Sequence, residues 1–304
     1  MSIRSILFAV LPLTTLMSPG TAAAASRPIL NCPECASWSE PVTPFKIYGN
    51  TYYVGMKNIA AILVTSDFGH VLIDGGFPES APLIAANIGK LGFKVTDVKA
   101  ILLSHAHVDH AGGIAELQRL SGAPVYVRRP AADVLRTGKL QPDDPQAKSK
   151  SAPTPMVGEI WIVNDDQLLG VGSNRLRAIA TPGHTPGGTT WTWDACEGDK
   201  CLAVVYADSL SPVASPGFAF SAPLASGQIT AQQLQASIER IGKLRCDILV
   251  TVHPDTSRFL ERVASRPAND LAAIKDDTQC KAYARAAQQR LAERLAQEGR
   301  GPGK

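Results

Sequence analysis

LLSHAHVDHAGG, residues 102–113, is the most informative stretch of the sequence, because three histidines and one aspartate lie within the six positions 105–110. An apolar run precedes them and two glycines follow, a pattern typical of a buried strand that ends in a turn. His105 and His107 are two residues apart, so their imidazoles point to the same side of an extended backbone. Asp109 and His110 follow on the turn, where adjacent side chains face a second ion. The stretch therefore predicts metal binding rather than a polar loop.

Two more histidines extend this pattern. His184 lies in ATPGHTPGG and His253 in VTVHPD, each in a turn that follows an apolar run. Because strand ends meet at one rim of a sheet, we expect five of the six histidines to share one site. Neutral imidazole and carboxylate are zinc ligands, and three protein ligands leave a position on the ion free for water. Five histidines and Asp109 thus provide three ligands for each of two ions.

Two residues outside this set have simpler interpretations. His70, alone in DFGHVLI, is interpreted as a hydrogen-bonded surface residue. Asp74, in VLIDGG, either accepts a hydrogen bond that orients a ligand imidazole or forms the turn at the end of a strand.

The composition indicates a globular, exported chain. It has 304 residues, 45% hydrophobic and 19% charged, and a formal net charge of +3, which is too balanced to favour nucleic acid as a partner. The first residues contain Arg4, an apolar run from Ile6 to Met17 and then small residues, as a secretory signal does. The run is far shorter than the roughly 20 residues that span a bilayer. We therefore expect a signal peptide over 1–25 and a single domain over 26–304, periplasmic or secreted and without a membrane partner.

Six cysteines in an exported protein are disulfide candidates. Six cysteines allow fifteen connectivities, and their local layout favours pairing in chain order. CPEC could instead form a redox or zinc knuckle, although no second CxxC completes a four-sulfur site. The expected pairs are Cys32 with Cys35, Cys196 with Cys201, and Cys246 with Cys280.

Strand and helix patterns occur in the same order twice. TYYVG, AAILVTS and HVLIDGG are expected to form adjacent antiparallel strands, before the helix SAPLIAANIGKLG and the strand VKAILLS. The second half repeats strands, a helix near 230–244 and the strand CDILVTV. This order predicts an α+β, four-layer αβ/βα sandwich, with two mainly antiparallel sheets face to face and helices outside. Residues 139–157 are polar, rich in Pro and without periodicity, so we expect a functional or mobile loop beside a groove, with Trp38 as a candidate apolar wall.

SHAHVDHAGG, TPGHTPGG, YADSLS and VTVHPD, in this order, resemble the metallo-β-lactamase superfamily, and most closely the third subclass of the class B β-lactamases. The resemblance covers the chain from PFKIYGNTYYVG onward. HxHxDH is specific only to the superfamily, which also includes glyoxalase II, lactonases, sulfatases and RNA-processing nucleases. The other β-lactamase subclasses use a cysteine as a ligand of the second zinc, whereas VYADSLS has Ser209 and no cysteine.

The resemblance implies a role for each site residue. Ser209 and Ser211 would bind the substrate carboxylate. In glyoxalase II an aspartate bridges the two metals, and Asp208 aligns with it, so a bridging role for Asp208 stays open. Asp109 would also orient the attacking hydroxide. The implied ligands are His105, His107 and His184 for the first zinc, and Asp109, His110 and His253 for the second.

The leading hypothesis is a secreted di-zinc hydrolase that opens the β-lactam ring of penicillins, cephalosporins and carbapenems by metal-hydroxide attack, and so confers antibiotic resistance. No serine nucleophile competes with this chemistry, because the chain has neither GxSxG nor SxxK. The alternatives are another metal-dependent hydrolase of the superfamily, for a thioester, lactone or sulfate ester, and a non-catalytic zinc-binding protein.

Overall fold

The structure is a computed structural model that describes residues 35–299. The predicted signal peptide, residues 1–25, and Cys32 of the predicted first bridge lie outside the described residues. Among residues 35–299, none of the helices combines the length and the apolar character that a membrane span requires.

The first sheet has seven strands that lie side by side in chain order. The first four pair antiparallel, and from the fourth strand onward the pairs are parallel. Parallel neighbours need a crossover, and helices supply it between the fourth, fifth and sixth strands. The strands are β1 (Phe45–Tyr48), β2 (Thr51–Tyr53), β3 (Ile62–Val64), β4 (His70–Ile73), β5 (Val98–Leu102), β6 (Val125–Val127) and β7 (Ile160–Ile162).

The second sheet has five strands in the order β12, β11, β10, β9, β8. Its pairs are antiparallel, except that β11 and β12 run parallel. All four residues of β12 are buried, as expected for a strand covered on both faces. The strands are β8 (Leu168–Val171), β9 (Asn174–Ala180), β10 (Thr189–Glu197), β11 (Lys200–Ala207) and β12 (Ile248–Thr251).

Helices cover the outer faces of both sheets. Gly122 and Gly138 end the fourth and fifth helices with φ of 72°, a left-handed backbone that glycine adopts without a Cβ clash. The helices are α1 (Cys35–Trp38), α2 (Ser80–Lys90), α3 (Val108–Ala111), α4 (Ile114–Ser121), α5 (Arg129–Thr137), α6 (Thr230–Gly242), α7 (Phe259–Ser265) and α8 (Gln279–Gly299).

Three apolar clusters hold these layers together. The central one lies between the two sheets and includes Tyr53, Trp191 and Tyr206, all fully buried. A second packs α2, α4 and α5 against the first sheet, and a third packs α6 and α8 against the second sheet. The predicted sandwich with outer helices is thus confirmed. Both sheets are mixed, however, because a strand, a helix and a strand follow one another from β4 onward and require parallel pairs.

Two disulfides tie segments of the second sheet. Cys196 and Cys201 are paired opposite each other across the hairpin of β10 and β11, and their sulfurs are bonded. Cys246, just before β12, is bonded to Cys280 in the first turn of α8. Both bridges follow the expected chain order, and the second fixes α8 against the strand that precedes His253.

Removing the Cys246 to Cys280 bridge is expected to cost more stability than removing the hairpin bridge. The two bridges close segments of 34 and 5 residues, and loop-closure entropy predicts losses of about 4 and about 2 kcal/mol. Urea unfolding of Cys246→Ala/Cys280→Ala and of Cys196→Ala/Cys201→Ala measures both free energies of unfolding. Equal losses, or a larger loss from the hairpin pair, would contradict this ranking.

Candidate metal centre

The six predicted ligands come from segments that follow three strands of the two sheets. His105 and His107 follow β5, with Asp109 and His110 on α3, while His184 follows β9 and His253 follows β12. The sheets are joined next to this point, because Thr189 N donates to the carbonyl of Ser104 at 2.8 Å. Residues far apart in the chain therefore converge on one rim of the sandwich.

The first group consists of His105, His107 and His184, whose ligand atoms lie within 4.8 Å of one another. His105 is fully buried; its Nδ1 lies 2.7 Å from Asp208 Oδ1, and its Nε2 has no hydrogen-bond partner within the described part of the chain. His184 donates from Nδ1 to the carbonyl of Ser211 at 2.9 Å, which leaves Nε2 free to face the site. Both rings are therefore oriented by partners on the side that faces away from the site.

The second group consists of Asp109, His110 and His253. Asp109 Oδ2 lies 3.0 Å from His110 Nε2 and 3.5 Å from His253 Nε2, and the two Nε2 atoms are 3.2 Å apart. Ligand atoms at the corners of a zinc tetrahedron are separated by about 3.3 Å, given bonds of about 2.0 Å. His253 Nδ1 is anchored on the carbonyl of Asn58 at 3.1 Å. This spacing matches a single cation bound by all three groups.

The donor set as a whole fits zinc. A buried imidazole nitrogen without a partner costs free energy, and lone pairs that face each other at 3.2 Å repel unless a cation or a proton lies between them. His105 also lies within 4.8 Å of Asp109 and His110, so the two groups are contiguous. Imidazole and carboxylate are ligands that zinc takes, and the second group has the tetrahedral spacing. The carbonyl acceptors beside His184 and His253 define Nδ1 as the protonated nitrogen of each ring.

Burial and the neighbouring charges shift the pKa values in this cluster. Burial, together with the other histidines, lowers the pKa of His105 well below its ordinary value and that of His184 to about 3. Burial also acts to lower the pKa of His110, but Asp109 and Asp74 outweigh it and raise that pKa to about 10. Burial acts to raise the pKa of Asp109, but His110 and His253 outweigh it and lower that pKa. Asp109 is therefore ionised at neutral pH, as a metal ligand must be.

Asp74 forms the turn at the end of a strand, one of the two roles left open by the sequence, and it lies beside a predicted ligand. It lies in the left-handed region with φ of 61°, at the turn after β4. Its carboxylate accepts hydrogen bonds from Ser104 N at 2.7 Å, Ser104 Oγ at 2.6 Å and Tyr206 OH at 2.8 Å, and it lies 3.6 Å from His110 Nδ1. This buried carboxylate therefore shapes the turn, and its charge acts on His110 without a hydrogen bond to that ring in the described residues.

Asp208 lies behind the site rather than between the two groups. Its Oδ1 contacts Nδ1 of His105, while the nitrogen that faces the site is Nε2. The backbone beside it is fixed by α8, because Tyr283 OH donates to the carbonyl of Asp208 at 2.9 Å and accepts from Leu210 N at 3.0 Å. Here Asp208 holds a ligand imidazole and does not occupy a bridging position.

A cavity of about 1040 Å³ opens onto the two groups. Ser209, Ser211 and Trp38 line it, as does much of the predicted loop over 139–157, which contains no helix or strand. Trp38 lies against His253, with ring centroids 5.0 Å apart. The loop also contributes Asp144, a buried carboxylate 3.2 Å from His107 Nε2, which the sequence prediction missed. Two adjacent aspartates in a Pro-rich loop were the only signal for it.

The prediction of a surface position for His70 was wrong. The ring is hydrogen-bonded as expected, since Ser66 N donates to its Nδ1 at 3.4 Å, but only 8% of the residue is exposed. It opens strand β4 and packs edge-on against Phe93, with ring centroids 5.1 Å apart. A hydrogen bond and an aromatic neighbour allow a neutral imidazole to be buried.

Comparison with known proteins defines the family. Residues 54–197 match the family model of the metallo-beta-lactamase superfamily. Rm3 metallo-beta-lactamase is 48% identical, with a TM-score of 0.85, over 88% of this chain and 99% of that one. MEM-A1, a subclass B3 metallo-beta-lactamase from a soil metagenome library, is 44% identical, with a TM-score of 0.83, over 86% of this chain and 98% of that one. The chain therefore belongs to the metallo-β-lactamase superfamily.

Curated relatives match a shorter region. A hydroxyacylglutathione hydrolase of Rhodopseudomonas palustris is 32% identical over 139 residues, which are 43% of this chain and 45% of that enzyme. The chain spans about half the length of the curated relatives it matches. The resemblance to the superfamily and to its B3 members is thus confirmed, and the chain is a metal-dependent hydrolase.

The metal-free protein is expected to lose stability as the pH falls from 7 to 5. Below about pH 6.5 an unfolded histidine takes up a proton, whereas His105 and His184 stay neutral in the fold because their pKa values are lowered. The unfolded state then binds more protons, which costs about 2 kcal/mol per histidine over this range. The raised pKa of His110 has the opposite effect, because the folded state already binds that proton at pH 7. It offsets only a small part of the loss of stability over this range. Urea unfolding of chelator-treated protein at pH 5, 6 and 7 measures the slope, and a flat or inverted slope would contradict it.

Proposed function

We propose that this protein is an exported di-zinc β-lactamase. The observation that carries the proposal is the similarity to Rm3 metallo-beta-lactamase, at 48% identity over 99% of that chain. The absence of cysteine around Ser209 supports the same assignment, because the second group here consists of one aspartate and two histidines. In a bacterium exposed to β-lactam antibiotics, such an activity would confer resistance.

In this proposal two zinc ions bind to the two groups described above. When bound, zinc supplies Lewis acidity that activates water and polarises a carbonyl group. Asp109, held ionised beside His110 and His253, accepts a hydrogen bond from the attacking water and so orients it. Ser209 and Ser211 line the cavity beside His184 and donate hydrogen bonds to the substrate carboxylate. Trp38 and the 139–157 loop limit the access of bulk water.

Export is proposed from the signal-like first 25 residues, with residues 26–304 as one mature domain. The two disulfides in the described residues support this, because such bridges persist in oxidising compartments such as the periplasm.

One observation favours a second candidate function. Several curated relatives are named hydroxyacylglutathione hydrolases, with identities of 32 to 35% over 40 to 43% of this chain. Such an enzyme would cleave a thioester at the same site. The position of Asp208 behind His105 argues against this candidate, because the aspartate that aligns with it in glyoxalase II bridges the two metals.

We expect the purified protein to hydrolyse a carbapenem and a cephalosporin and to leave S-lactoylglutathione intact. Loss of the lactam absorbance measures the first two reactions, and loss of the thioester absorbance the third. A chelator should abolish hydrolysis and added zinc should restore it. The ligand groups contain no electrophile other than the metal ion, so activation of water and of the carbonyl depends on zinc. Rapid thioester cleavage with an idle lactam would replace this proposal with the second candidate, and inactivity on all three substrates would reject both.

Asp109→Asn is expected to lower turnover of a carbapenem at least a hundredfold, since the amide is a poor ligand and a poor acceptor for the attacking water. Zinc content should fall from two equivalents towards one, because the first group lacks Asp109 altogether. Turnover and zinc are measured on the same preparation. Asp67→Asn, at an exposed carboxylate remote from the site, is the matched control. Unchanged turnover in Asp109→Asn would reject its assigned role.

A further inference from the structure

The 139–157 loop is attached to the rest of the fold at several points. Thr154 Oγ donates to the carbonyl of Ala106 at 3.0 Å, Val157 N to the carbonyl of Leu135 at 3.0 Å, and Ser215 N to the carbonyl of Pro145 at 2.9 Å. Turns within the loop are closed by hydrogen bonds of Asp144 N and Ala147 N. The loop is thus an ordered wall of the cavity even though it contains no helix or strand.

One loop side chain reaches a predicted metal ligand. Asp144 is 3% exposed, and each of its carboxylate oxygens lies 3.2 Å from His107 Nε2. Its Oδ1 also accepts a hydrogen bond from Gln146 N at 2.7 Å. Gln146 Nε2 lies 3.5 Å from the other ring nitrogen, Nδ1. Both nitrogens of His107 are therefore contacted by the loop, whereas the other predicted ligands are held by the sandwich.

A buried carboxylate is tolerated only where hydrogen bonds compensate for its lost hydration. For Asp144 these come from Gln146 N, inside the loop, and from the imidazole of His107, outside it. The carboxylate fixes His107 with the proton on Nε2, so the lone pair of Nδ1 points into the first group. The loop conformation and the ligand orientation thus depend on the same contact.

We infer that Asp144 is a positioning residue that couples the cavity wall to the first metal site: zinc binding at His107 orders the 139–157 loop, and the ordered loop strengthens zinc binding. Linkage requires the two effects to be equal in free energy. The inference rests on the metal-binding part of the proposed function and requires no particular substrate. The coupling also makes the shape of the cavity depend on whether zinc is bound, because the loop forms one wall of the cavity.

Zinc affinity tests one direction of this coupling. Competition with a chromophoric chelator yields the two stepwise dissociation constants of the whole protein. Asp144→Asn should weaken one of them by about 10 to 100-fold, the usual effect of losing an outer partner of a ligand histidine. Asp143→Asn removes the adjacent carboxylate, which has no hydrogen bond or ion pair in the described chain, and should change neither constant more than about threefold. Wild-type constants in Asp144→Asn would overturn the inference.

Hydrogen–deuterium exchange tests the reverse direction. In the wild-type protein, zinc should slow exchange of peptides from 139–157 several-fold, and it should slow them much less in Asp144→Asn. Peptides from α6, on the outside of the second sheet, control for a general change in stability. If Asp144→Asn does not fold, the wild-type arm still decides, because zinc that leaves exchange in the loop unchanged contradicts the coupling.

The two proposals fail separately. Neither measurement uses a β-lactam, so a different substrate class leaves both expected results in place. Conversely, full β-lactam hydrolysis together with unaltered zinc affinity in Asp144→Asn would overturn the coupling alone.

Discussion

Five imidazoles and a carboxylate are packed together at one rim of the sandwich, and this arrangement constrains much of the structure around it. Unpaired polar groups of this kind are costly to bury, and lone pairs that converge within 3.2 Å repel one another. The fold offsets this cost for four of the five rings, because Asp208, Asp144, Ser211 and Asn58 accept hydrogen bonds on the outer side of His105, His107, His184 and His253. The inner side is left with ligand atoms that a cation satisfies.

The outer partners differ in kind, and the difference has a physical meaning. His184 and His253 are anchored on backbone carbonyls, which move only if the chain moves. His105 is anchored on a carboxylate at the end of β11, inside the packed sandwich. His107 alone is anchored on a side chain of an irregular loop. The first group of ligands therefore contains both the most rigid support, the backbone carbonyl behind His184, and the most adaptable one, the loop side chain behind His107. The loop that provides the adaptable support also borders the cavity.

The sequence predicted the elements that depend on local pattern. HxHxDH, His184 and His253 were identifiable because each follows an apolar run and lies in a turn, and the two disulfides followed from their local spacing. Asp144 was not identifiable, because a loop without periodicity gives no register that relates its side chains to a distant histidine. The burial of His70 was missed because the packing of Phe93 over it is a tertiary contact. The parallel half of the first sheet was missed for a different reason: strands close in sequence were expected to pair antiparallel, whereas a strand, a helix and a strand in succession after β4 require a parallel pair.

Tyr283 connects helix α8 to the segment of residues 208–210, which lies much earlier in the chain and borders the candidate metal centre. Its hydroxyl holds the backbone on both sides of Ser209, at Asp208 and Leu210, and Cys280, one turn earlier in the same helix, is bonded to Cys246. The helix is therefore a brace for the segment that supports His105 and presents the two serines. Mutational tolerance along α8 should accordingly be uneven: substitutions on its exposed face should be tolerated better than those in the turn from Cys280 to Tyr283, which supports the candidate metal centre without contributing a predicted ligand.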